Sequence, residues 1–64
     1  MNIEDEKILL NLIRNYSVGD MLSTLDKLYR NEANDAADMG LKEKANVYAD
    51  ASHMFDLMND FPIL

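Results

Sequence analysis

Cysteine and tryptophan are absent from this chain of 64 residues, proline occurs once, at Pro62, and glycine only twice, at Gly19 and Gly40. Without cysteine there is no disulfide framework, a composition that fits a reducing compartment. Two glycines cannot build the glycine-rich loop that cradles a phosphate. No apolar run approaches the roughly 18 residues that a membrane span requires. The opening Met1-Asn2-Ile3-Glu4-Asp5-Glu6 is acidic and lacks the apolar core of a secretion signal, so the expected location is cytoplasmic. Basic charge is also scarce: six Lys and Arg stand against twelve Asp and Glu, a formal charge of −6. Such a surface repels the phosphate backbone and argues against direct nucleic-acid binding. It suits a basic protein partner, or mimicry of nucleic acid toward a DNA-binding protein.

Sixty-four residues make a single domain with a thin core, since a chain of this size buries only about 60% of the surface it exposes when unfolded. Disulfides being excluded, self-association is the expected supplement.

What the chain does contain is helical periodicity, punctuated at two places. Asn2 is placed to cap a first helix, with Glu4, Asp5 and Glu6 in the turn where the helix dipole favours acids. Ile8, Leu9, Leu12 and Ile13 then form one stripe, widened by Leu10, up to Arg14. Tyr16-Ser17-Val18-Gly19-Asp20 ends that segment and begins the next: Ser17 caps, Asp20 follows three residues later, and Tyr16 is placed to staple onto Met21. Apolar positions from Val18 through Leu22, Leu25, Leu28, Tyr29, Ala33, Ala36 and Ala37 keep three- and four-residue steps for about five turns. The alanines at the end of this helix allow a neighbouring backbone to approach. Gly40 is placed for the left-handed conformation that closes helices, with Asp38 an alternative cap for the helix that follows. The third stripe runs from Leu41 through Ala45, Tyr48, Ala51, Ser52, Phe55 and Met58, and ends at Asp60, because Pro62 disfavours helix at Phe61. The expected fold is all-α: a small antiparallel three-helix bundle with helices over about 3–14, 17–39 and 41–60, dominated by the hairpin of the last two, and an apolar tail at 61–64.

The stretch Ala37-Asp38-Met39-Gly40-Leu41, with Ala45, Tyr48 and Ala51, resembles the turn of a tetratricopeptide-type hairpin or of a microtubule-interacting-and-transport domain. It spans about 20 residues and occurs once, where a solenoid needs roughly three units. The resemblance implies two helices packed closely through small residues. In size, acidity and layout the chain is also similar to the short helical proteins that bacteriophages direct against host pathways.

No pattern of catalytic residues emerges. His53, the lone histidine, has Asp50 and Asp56 three residues to either side, but a metal site needs a second histidine or Glu-x-x-His pairs from two helices. A calcium loop with Gly40 sixth would start at Asp35 and end at Asn46, where a glutamate is required, and would place Ala37 and Met39 at ligand positions. Ser17, Ser23 and Ser52 have no strained turn or oxyanion hole beside them. No enzyme activity, metal or cofactor is therefore expected.

Helix three is apolar on more than one face, since Val47, Met54 and Leu57 lie off the Ala45-Tyr48-Phe55 stripe. With Met58 and the tail residues Phe61, Ile63 and Leu64, they make an apolar patch ringed by Asp50, Asp56 and Asp60 that one small bundle cannot cover. The leading expectation is a non-catalytic protein-interaction module of phage-antagonist type, which also dimerises through helix three and the tail. The alternative is an oligomer that sequesters a nucleotide-like ligand using Lys27, Arg30, Lys42 and Lys44, with Tyr29 or Tyr48 stacking on a base. A second alternative is the acidic nucleic-acid mimic. Under the leading expectation, Phe61→Ala or removal of residues 61–64 abolishes partner binding in a titration. Lys27→Glu and Arg30→Glu reduce binding only if the ligand reading holds.

Overall fold

The computed structural model describes residues 1–60, which form three helices: α1 (Ile3–Asn15), α2 (Val18–Asp38) and α3 (Lys42–Asp60). Residues 61–64, and with them the expectation for the apolar tail, lie outside the described residues. Each boundary has a local cause. The Asn2 side-chain oxygen accepts from the Asp5 amide at 2.8 Å, and the Ser17 hydroxyl accepts from the Asp20 amide at 3.1 Å. Both caps satisfy amides that a helix leaves without internal partners.

Gly40 closes α2 with φ +77°, in the left-handed region. The Leu41 amide reaches back to the carbonyl of Ala36 at 2.8 Å and the Gly40 amide to that of Ala37 at 3.0 Å. These are the two crossed bonds of a Schellman motif, which reverses the chain directly into α3. Asp38 is the last residue of α2, and Leu41 takes the position before α3, its carbonyl accepting from Ala45 at 2.9 Å.

The reversal lays α3 antiparallel along α2. Ser52 stands level with Asp26 and Asn59 with Ser23, so the two helices meet over nearly their whole length. Small residues line the seam. Ala36 and Ser52 are each 5% exposed and Ala33 is also buried. Large side chains also enter the seam, where Tyr29 lies between Tyr48 and Phe55 with ring centroids 5.9 and 5.4 Å away. Both separations fall in the range of favourable tilted aromatic pairs, worth about 0.5–1.5 kcal/mol each beyond area burial.

The packing of α1 differs from that of a close-packed bundle. No residue of α1 is buried, and Ile8 and Ile13 are 60% and 59% exposed. The principal dimensions are 37 × 32 × 14 Å, and the radius of gyration is 13.5 Å. A compact domain of this length has a radius near 11 Å. The first helix thus points away from the hairpin instead of lying in the furrow between α2 and α3. The short link through Tyr16 and Ser17 explains this: both residues adopt extended backbone (ψ 151° and 161°), which directs α1 outward.

Replacing Gly40 by alanine forces a Cβ into the left-handed region, although space around it is open. We expect Gly40→Ala to cost about 1 kcal/mol in a urea titration followed by circular dichroism, with the slope unchanged.

Candidate interaction surfaces

Three surfaces stand out, and the sequence signals for them differ. On α3, Val47, Met54 and Met58 share one outward row at seven- and four-residue spacing, with Asp50 and Leu57 beside it. Val47 is 64% exposed and Met54 61%, and Leu57 and Met58 are about half exposed. Val47 and Met54 lie about 100° around the helix from Tyr48 and Phe55, outside the aromatic part of the seam. Asp50 lies within the patch, between Val47 and Met54.

Asp56 occupies a different place. It lines a polar groove of about 280 Å³ along the α2–α3 seam, together with Asp26, Arg30, Asn34, Ser52 and His53. At its centre the Asp26 carboxylate, 14% exposed, accepts two bonds from the Arg30 guanidinium at 2.9 and 2.8 Å. The buried Ser52 hydroxyl contacts the same carboxylate and lies 3.2 Å from the Asp26 carbonyl. This network ties α2 to α3 and satisfies the one buried polar side chain among the described residues. His53 is exposed at the groove edge. Among the described residues no three His, Asp or Glu side chains gather as metal ligands.

The cations of the nucleotide-sequestering alternative are not brought together within one chain. Arg30 is held by Asp26. Lys42 and Lys44 open α3 beside the Gly40 turn, opposite the end of α2, whereas Lys27 lies near the level of Ser52. At 1.5 Å per residue this separation is about 13 Å along the hairpin. Tyr29 and Tyr48 stack on one another rather than presenting free faces to a base.

The third surface is an apolar groove of about 440 Å³ between α1 and the first three turns of α2, lined by Leu9, Leu12, Tyr16, Met21, Leu25 and Leu28 among others, with Asp20 its one charged member. Leu9, Leu12, Leu25 and Leu28 stand on the apolar stripes of the first two helices, and Tyr16 and Met21 at the expected staple. Their periodicity marks an apolar face but does not specify what lies against it. Tyr16 and Met21 share the groove wall, where the staple was expected, and Tyr16 stays more than half exposed.

Charge is distributed unevenly over these surfaces. In residues 1–30, Glu4, Asp5, Glu6, Asp20 and Asp26 are nearly offset by Lys7, Arg14, Lys27 and Arg30, a net of −1. In residues 31–64, Glu32, Asp35, Asp38, Glu43, Asp50, Asp56 and Asp60 face only Lys42 and Lys44, a net of −5. The α1–α2 groove is close to neutral, and the acidic field belongs to the turn end and α3.

Among the described residues no helix is long and apolar enough to cross a membrane. Comparison with family models, with curated proteins and with solved structures returns no match.

The seam makes its own prediction. Ser52→Ala removes one hydroxyl while Asp26 keeps Arg30, and is expected to cost about 1 kcal/mol. Ser52→Leu must push the helices apart and should cost about 1–3 kcal/mol or more in the same denaturant titration.

Proposed function

We propose that this protein is a non-catalytic interaction module whose α3 face docks on a basic surface of a partner protein. The observation that carries this reading is the row of Val47, Met54, Leu57 and Met58, exposed on α3, on the half of the chain with a net charge of −5. Apolar side chains supply affinity once desolvated, and flexible methionines adapt to an irregular partner. Acidic residues around them, Asp50 nearest, speed encounter with a basic surface and reject acidic ones. A cytoplasmic antagonist of a host protein, of the kind bacteriophages encode, would use such a surface.

The test uses two synthetic amphipathic helices of about five turns with the same leucine face, one with a lysine and one with a glutamate polar face. The lysine peptide is expected to bind, with nuclear magnetic resonance shifts at Val47, Asp50, Met54, Leu57 and Met58, and the glutamate peptide to leave the spectrum unchanged. Replacing Met54 and Met58 together by serine should weaken binding at least about tenfold without loss of helicity. Equal binding of both peptides, or shifts confined to α1, would sink the proposal. Affinity that ignores the methionines and collapses with added salt would favour the acidic nucleic-acid mimic instead.

A further inference from the structure

We propose that the apolar face shared by α1 and the first half of α2 is a self-association surface, and that its occupant is the same face of a second copy, with the two α1 helices antiparallel. This inference is independent of the α3 reading, which concerns the opposite half of the chain.

The area of the chain is the first argument. Its accessible surface is 5469 Å². A compact monomer of 7.3 kDa exposes about 4,200 Å². The exposed apolar side chains of α1, Ile8, Leu10 and Ile13 among them, belong to this surplus of about 1,300 Å². Two copies that each bury about 800 Å² there form an interface of the standard size of about 1,600 Å². A groove between α1 and α2 lined by Leu9, Leu12, Met21 and Leu25 provides the concave part, and the outer edge of the α1 stripe the convex part.

Charge then selects the occupant. A second copy carries the same −6, so the acidic α3 half repels its counterpart. Residues 1–30, which include the α1–α2 face, carry a net of only −1, and like can approach like. Within α1, Glu6 and Arg14 lie on the side that carries Leu10, one toward each end of the helix, eight residues and about 12 Å apart. Neither forms an ion pair among the described residues, where Arg30 with Asp26 is the one such pair. A two-fold axis near Leu10 that sets the helices antiparallel brings Glu6 of each copy to Arg14 of the other, twice by symmetry. It also opposes the two helix dipoles. A parallel arrangement would place Glu6 against Glu6 and Arg14 against Arg14.

Sedimentation equilibrium of the full chain from about 1 μM to about 1 mM tests this, a range that separates tight from marginal association. A dimer is expected, and Leu9→Asp should weaken it at least a hundredfold while circular dichroism of the hairpin is retained, because the buried residues of the seam all belong to α2 and α3. Glu6→Arg and Arg14→Glu alone should each weaken it about tenfold. The double variant should regain the dimer, and a mixture of the two single variants should form a heterodimer. A monomer throughout the range would overturn the proposal. So would a dimer indifferent to Leu9→Asp but lost on Met54→Ser, which would move self-association to α3. Loss in both single variants without recovery in the double variant would overturn the antiparallel arrangement.

Discussion

The close approach of α2 and α3 is the constraint on which the rest of the molecule depends. It is possible because Ala33, Ala36 and Ser52 present almost no side chain at the crossing, so two backbones come together where leucines would hold them apart. Small residues bury little apolar area, about 0.8 kcal/mol per methylene, so the seam gains specificity more than energy from them. The larger contribution comes from Tyr29 between Tyr48 and Phe55, and those rings can stack only because the alanine end fixes the spacing and register. The Asp26, Arg30 and Ser52 network fixes the register a second time. A slip of α3 along α2 would leave the buried Ser52 hydroxyl without an acceptor, at a cost of about 1–3 kcal/mol.

Everything outside that seam is marginal. The chain has no cysteine for a disulfide, and the buried apolar residues among those described are two alanines. An isolated helix of 13 residues such as α1 is barely stable in water, even with an Asn2 cap, an acidic first turn and Arg14 in its last turn. Its apolar stripe needs a cover that the hairpin does not supply. The α3 row has the same need in different electrostatic surroundings. Two uncovered apolar faces, one nearly neutral and one acidic, suit two different occupants, a second copy and a basic partner. That division reconciles a high surface area with a high net charge of one sign.

Much of the fold was legible in the sequence because helix ends are local chemistry. Asn2, Ser17 and Gly40 each act within four residues of themselves, and they mark the starts and stops within a residue or two. The hairpin was legible for a related reason, since alanines at seam spacing on both sides of a tight turn leave few alternatives. Arg30 pairs with Asp26 as i,i+4 spacing suggests. The placement of α1 was not legible. The stripe of Ile8, Leu9, Leu12 and Ile13 declares an apolar face, but the direction of the helix is set by the extended backbone at Tyr16 and Ser17, and the cover by whatever else is in solution. Asp56 lies apart from the outward row of α3. It lies three residues from His53 and six from Asp50, and helical spacing turns it from the outward row into the groove beside Arg30.

The most direct measurement is native-state hydrogen exchange, residue by residue, at low and at high protein concentration. The account predicts that the amides of Ala33, Ala36 and Ser52 exchange only through global unfolding at either concentration. Those of α1 should exchange freely in dilute solution and gain protection as concentration rises. Equal protection of α1 and of the seam in dilute solution would contradict it.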